Sequence, residues 1–144
     1  MKKITLLFAF AFICSASSVF GQARKELNFG LIGANYEIPV SSDITIAPFA
    51  GTNLNLDWLT IGVRANYYFD NLFELNDDAW DVYGGAGAGY AIDNRGNGND
   101  GSDLDIGLHV GGRWFWNDKW GVYLEFGGGI TQGASGGLGL TVKL

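Results

Sequence analysis

The segment at residues 104–116, LDIGLHVGGRWFW, alternates between two kinds of side chain. Its even-numbered positions are apolar or glycine, whereas its odd-numbered positions include Asp105, His109 and Arg113, separated by glycines. Because successive side chains of a strand point to opposite faces, this period of two predicts a β-strand. The predicted strand has one apolar face and one face on which small residues alternate with isolated charges.

The same alternation recurs along the rest of the chain, so that seven strand-like segments can be read in all. The six others are residues 27–38, 44–51, 59–69, 80–92, 120–130 and 138–144, of which the first two have the weaker pattern. Bacterial membrane barrels contain an even number of strands. We therefore expect eight strands, with the unread one in the first 50 residues, either hidden near residues 22–38 or lost by merging segments.

The composition of the polar faces distinguishes two architectures that both produce alternation. A face exposed to water normally carries many Lys, Glu and Asp side chains, whereas here it is mainly Gly, small hydroxyl residues, Tyr and single charges. Segments of about 11–13 residues also suit a tilted bilayer crossing better than an average soluble strand. The sequence predicts an all-β, antiparallel, up-and-down transmembrane β-barrel. A soluble periplasmic lipid-binding barrel, with its faces reversed, is the alternative.

Aromatic side chains flank two of the connections between predicted strands, residues 70–79 and 117–119. Trp and Tyr side chains favour the interface between membrane and water. If the two connections lie on the same side of the membrane, these side chains form one interfacial girdle. The predicted girdle comprises Tyr67, Phe69, Trp80, Trp114, Trp116 and Trp120.

The remaining connections sort by side of the membrane. With the C-terminus in the periplasm, the polar connection 93–103 (DNRGNGNDGSD) and the connection 131–136 are predicted to be extracellular. The connection 70–79 and the start of the next strand carry a cluster of acidic residues. We interpret these carboxylates as keeping the connection in water. The alternative is that they form a docking site for a periplasmic partner. This cluster comprises Asp70, Glu74, Asp77, Asp78 and Asp81.

The N-terminal residues have the pattern of a secretory signal peptide. Lys2 and Lys3 precede an apolar run at residues 4–14, and small residues lead to a predicted cleavage site after Gly21. We expect residues 1–21 to be removed and residues 22–144 to form the barrel domain. The only cysteine, Cys14, lies in the segment to be removed, so the mature chain has no disulfide or thiolate metal site.

Charge and motifs exclude several classes of function. The 144-residue chain has a net charge of −6, and loss of the two signal-peptide lysines would make it −8. Such acidity argues against nucleic-acid binding, which needs a basic surface. The glycine run at residues 84–89 lacks the lysine and the following helix of a phosphate-binding loop. We expect no cofactor and no metal.

Three stretches resemble the small bacterial outer-membrane β-barrel proteins, the porin-like group described by an outer membrane protein beta-barrel domain. They are WDVYGGAGAGY at 80–90, GLHVGGRWFWNDKWGVYLEFGGG at 107–129 and GLGLTVKL at 137–144. The resemblance implies a barrel in the cell outer membrane, in contact with its lipid and inserted by the outer-membrane assembly machinery. The insertion signal of such barrels usually ends in Phe or Tyr, whereas this chain ends in Leu144. The group shares no catalytic motif, so a non-enzymatic structural, adhesive or narrow-pore role is expected.

Charged residues on the predicted polar faces are the candidate site. A spacing of four along one strand corresponds to about 13 Å, so such neighbours need partners from other strands across the lumen. We interpret the set as a salt-bridge network inside a filled barrel. The predicted network comprises Arg64, Asp105, His109, Arg113 and Glu125.

An enzyme centred on His109 is the alternative interpretation of this set. Outer-membrane lipid A deacylases place a serine two residues after their histidine, on the membrane face. Here that position is Gly111, and His109 lies on the polar face. The pattern therefore disfavours a lipid-modifying enzyme.

Overall fold

The computed structural model describes residues 23–52, 55–70, 72–74, 77–93, 103–131 and 133–144. The predicted signal peptide lies outside the described residues. Eight strands account for most of the described chain: β1 (Glu26–Gly30), β2 (Gly33–Pro39), β3 (Ile44–Thr52), β4 (Trp58–Tyr68), β5 (Trp80–Asp93), β6 (Asp103–Phe115), β7 (Trp120–Gly129) and β8 (Gly133–Lys143).

The eight strands form a closed antiparallel barrel in which each strand pairs with its neighbours in chain order. Closure is made by β1 and β8, where Phe29 lies opposite Leu140 in the register. A closed sheet has no free edge with unpaired backbone groups. The predicted all-β barrel of eight strands is confirmed. None of the described residues forms a helix long and apolar enough to cross a membrane.

The predicted segment at residues 27–38 is two strands, which explains the odd count of seven. β1 and β2 are joined by a turn at Leu31 and Ile32, flanked by Gly30 and Gly33. Turns are usually marked in a sequence by Gly, Asn, Asp, Pro or Ser; here the glycines only flank the turn, and both central residues are apolar. The apolar turn therefore continues the hydrophobic pattern and conceals the break.

A second correction concerns the predicted connection at residues 131–136. β8 begins at Gly133 and pairs with β7 from there, with Ser135 opposite Gly127. Small residues without a hydrophobic pattern conceal the start of this strand, because alternation can be read only from Leu138 onward.

The barrel carries its large apolar side chains on the outside. Leu108 is 71% exposed, Leu138 64% and Phe126 60%. The fully buried positions include Glu26, Arg113 and other polar residues that point inward. This arrangement is the inverse of a soluble barrel and is the one required for a wall in contact with lipid.

The two ends of the barrel differ in their connections. The terminus end, where β1 begins and β8 finishes, carries the connections 40–43, 69–79 and 116–119. At the opposite end, called the loop end below, β1 joins β2 through residues 31–32, and β3, β5 and β7 finish. The predicted extracellular connection 93–103 lies, apart from its two ends, outside the described residues. The two connections flanked by aromatics therefore lie at the same end.

Candidate functional site in the barrel lumen

Arg113 is the centre of a fully buried ionic cluster in the half of the lumen nearest the terminus end. Its guanidinium pairs with Glu26 Oε2 at 2.7 Å and with Glu37 Oε1, and it donates to the Tyr68 hydroxyl. Its Cζ atom lies 4.2 Å from the centroid of the Tyr83 ring. A charge removed from water requires such a set of opposite charges and hydrogen bonds.

The two carboxylates of this cluster have further donors of their own. Glu37 accepts hydrogen bonds from Thr45 Oγ1 at 2.6 Å, from the Tyr68 hydroxyl at 2.7 Å and from Asn28 Nδ2 at 3.0 Å. Glu26 accepts from Arg24 Nε at 2.6 Å. Thr141 Oγ1 of β8 also donates to Glu26 Oε2, at 3.3 Å. Side chains from seven strands and from the segment before β1 thus fill this half of the lumen, and we call these side chains the Arg113 cluster.

Two titratable groups at the terminus end lie outside the strands. Burial opposes the charge of Arg24, but the nearby carboxylates of Asp81 and Glu26 outweigh it and raise the guanidinium pKa. Burial raises the pKa of Asp70, against the hydrogen bond that its Oδ1 accepts from the Val82 amide at 2.8 Å. The structure thus divides the acidic cluster of the sequence, because Asp70 and Asp81 are buried.

A smaller ion pair lies further along the lumen. Arg64 Nη1 is 2.7 Å from Glu125 Oε1, and their side chains are 13% and 16% exposed. The Tyr83 hydroxyl donates to Glu125 Oε2 at 2.9 Å. Tyr83 therefore lies between this pair and the Arg113 cluster.

His109 and Asp105 have separate surroundings. His109 Nε2 lies 2.6 Å from Asn66 Oδ1, which assigns the proton to that nitrogen because the amide oxygen can only accept. Asp105 accepts a hydrogen bond from the Thr131 amide at 2.9 Å, beside the loop end. The structure thus brings together Arg64 and Glu125 from the predicted network and places Arg113, His109 and Asp105 with other partners.

Between the Arg113 cluster and the loop end, the lumen contains a cavity. A cavity of about 220 Å³ occupies the half nearest the loop end. Its lining includes the side chains of Arg64, His109, Glu125 and Tyr123, together with many glycines. Inward-facing glycines leave the space that larger side chains fill in the other half.

The six aromatic residues of the predicted girdle all lie at the terminus end. The Trp80 and Trp114 ring centroids are 6.3 Å apart, and Tyr67 and Phe69 are 5.2 Å apart. Trp114 is also 6.5 Å from Trp116, whereas Trp120 packs edge-on against Phe29 at 6.4 Å. The side chains are thus grouped in separate contacts around the outer wall.

Sequence reasoning missed several members of the Arg113 cluster. Glu26 and Glu37 belong to β1 and β2, where the merged segment concealed two polar faces. The alternation of Glu26 with Asn28, and of Asn35 with Glu37, was the available signal. Asp81, which the sequence places in an acidic, solvated connection, instead pairs with Arg24 Nη2 at 2.6 Å.

Comparison with known protein families gives a match over most of the chain. The model of a family described as "Outer membrane protein beta-barrel domain" matches residues 6–142. No curated protein matches the chain.

Proposed function

The chain belongs to the outer membrane protein beta-barrel domain family, and from this membership we propose that it is a non-enzymatic integral outer-membrane protein whose lumen is closed to solutes. Its role is then structural, or adhesive through its connections, rather than transport. The outward apolar wall and the family support an outer-membrane location.

The Arg113 cluster is the observation that supports a lumen closed to solutes. Arg113, Tyr68 and Tyr83 are each at most 1% exposed, so water does not reach these side chains. An eight-stranded barrel is just wide enough for its side chains to fill. An ion entering through the cavity at the loop end would therefore meet paired charges and two aromatic rings.

Ion conductance in planar bilayers tests this proposal. We expect the refolded chain to add no current steps to those of the bare bilayer. A variant carrying Arg113→Ala and Tyr83→Ala removes two large side chains from the barrier and should conduct if it still shows heat-modifiable gel mobility. Discrete current steps from the unchanged chain would overturn the closed lumen and favour the narrow-pore role.

The surroundings of His109 support a non-enzymatic protein. The ring contacts Asn66 and lies 6.3 Å from the Tyr83 ring, inside the barrel and away from the lipid-facing wall. A hydrolase acting on lipid would need its nucleophile and base at the membrane face. We expect His109→Ala to leave lipid A acylation in the outer membrane unchanged, as measured by mass spectrometry. A His109-dependent change in the acyl chains would favour the enzyme.

The export route is part of the same proposal. We propose cleavage after Gly21 and insertion by the assembly machinery with the terminus end in the periplasm. N-terminal sequencing of protein from purified outer membranes should begin at Gln22. Depletion of the assembly machinery should leave the chain protease-sensitive in the periplasm.

A further inference from the structure

We propose that Leu72 and Phe73, which follow β4, form a membrane anchor whose side chains insert into the lipid leaflet at the terminus end. These two apolar side chains are 69% and 59% exposed. The inference concerns the outer wall of the barrel, so it stands or falls independently of whether the lumen conducts ions.

Phe69 holds the chain that follows β4 against the outside of the barrel. Its amide donates to the Val82 carbonyl at 2.8 Å, which keeps the chain on β5 after β4 has ended. A Cβ atom at Gly84 would lie 3.0 Å from Phe69 Cε2. Because Gly84 follows the inward-facing Tyr83, its open face is the lipid-facing one. The Phe69 ring therefore lies on the outer wall.

A tight turn then carries Phe73 back towards Phe69. The amides of Leu72 and Phe73 both donate to the Phe69 carbonyl, at 2.9 and 3.0 Å. The Phe73 ring centroid lies 6.0 Å from that of Phe69, which lies 5.2 Å from Tyr67. Three rings thus form a continuous row from the wall onto the connection.

This continuity identifies lipid as the occupant of the exposed surface. Tyr67 belongs to the outward face of β4, which contacts lipid in a membrane barrel. Apolar groups adjoining that face gain free energy by entering the same medium. The exposed carboxylates of Glu74, Asp77 and Asp78 follow directly, so the insertion is shallow and the chain returns to water.

An environment-sensitive probe tests the anchor in vesicles of phosphatidylcholine. The chain with Cys14→Ser and Leu72→Cys carries a single thiol, which is labelled with a nitrobenzoxadiazole dye after refolding. Two reference positions frame the result: Leu108→Cys on the outer wall and Asp118→Cys in the turn at the same end. We expect the emission maximum at position 72, and its quenching by nitroxide-labelled lipid, to lie closer to those at position 108.

Phe73→Ser in the position-72 background provides the matched control. It should shift the emission at position 72 towards that at position 118, while the same substitution leaves the probe at position 108 unchanged. Heat-modifiable gel mobility verifies that each barrel is folded. Emission and quenching at position 72 equal to those at position 118 in a folded barrel would overturn the anchor and assign the surface to a protein partner. Because the vesicles contain lipid alone, a lipid-like result cannot come from such a partner.

Discussion

The two halves of the lumen are built on the same strands but are filled in opposite ways. Towards the terminus end, the inward positions carry large polar side chains centred on Arg113, most of them fully buried. Towards the loop end, the inward positions are largely glycine, and a cavity of about 220 Å³ remains. β6 shows both patterns in one strand, with Arg113 in the filled half and Gly107 in the hollow one.

The difference shows that strand number alone does not decide whether a small barrel is closed. Barrel diameter is fixed by the strands and their tilt, so side-chain volume at the inward positions determines the free space. The filled half is held by buried ion pairs, and removing one partner of such a pair strongly destabilises the fold. The ion pair of Arg64 and Glu125 in the hollow half should tolerate the loss of a partner better, because both side chains are partly exposed to the cavity.

The largest expected effect is that of Arg113→Met, which keeps the volume of the side chain but removes its charge. Glu26 and Glu37 would then remain buried without their main counter-ion, at a cost of about 3–5 kcal/mol in the free energy of unfolding. Urea unfolding in vesicles, followed by tryptophan fluorescence, measures this loss. A variant as stable as the parent would show that the ionic cluster is not what stabilises the filled half.

Glycine substitutions compare the space available at one inward position in each half, Gly111 in the filled half and Gly137 in the hollow one. A Cβ atom at Gly111 would lie 2.6 Å from the Tyr83 hydroxyl and ring, whereas at Gly137 the nearest atom, on Tyr123, is 3.6 Å away. We expect Gly111→Ala to destabilise the barrel by about 1–3 kcal/mol through overpacking. Gly137→Ala should change stability by less than about 0.5 kcal/mol. Equal effects in the same unfolding assay would contradict the difference in space between these two positions.

Arg64→Met tests the ion pair at the boundary between the halves. Its partner Glu125 keeps the Tyr83 hydroxyl as a donor and is partly exposed to the cavity. Water can therefore solvate the unpaired carboxylate, and we expect a loss of only about 1 kcal/mol. Comparison of the unfolding midpoints of Arg64→Met and Arg113→Met checks the ranking, which a larger loss at Arg64 would reverse.

A small effect that depends on pH is expected at Asp70, outside the strands at the filled end. Burial raises its pKa in the folded state, so the folded protein binds the proton more tightly than the unfolded one. The contribution of this carboxyl to stability is therefore lost as the pH rises above about 4. Asp70→Asn keeps an acceptor for the Val82 amide, and should gain stability relative to the parent between pH 4 and 7, by less than about 1 kcal/mol. A stability difference that does not change with pH would contradict this direction.

The sequence predicted the fold better than it predicted the lumen. Alternation is a local property, so the ends of β4 to β7 could be predicted within one or two residues. The eighth strand was predicted because such barrels contain an even number of strands. The turn at Leu31 and Ile32 escaped because its two central residues are apolar and continue the hydrophobic pattern. The partners of Arg113 escaped for a different reason. Which inward side chains meet across a barrel depends on the stagger of the closed sheet, and no local pattern reports that stagger.

The connectivity of the Arg113 cluster has a consequence for how the barrel forms. Its contacts join residues far apart along the chain, with sequence separations of 87 between Arg113 and Glu26 and 76 between Arg113 and Glu37. Thr141 and Glu26 are 115 residues apart. Contacts between residues so far apart in sequence form slowly, because closing the long loops between them costs entropy before the contacts stabilise the chain. Hairpins such as β6–β7 can form early, whereas the filled half of the lumen is completed only when the first strands meet the last. Folding into the membrane is therefore expected to be slow and cooperative, with closure as its final step.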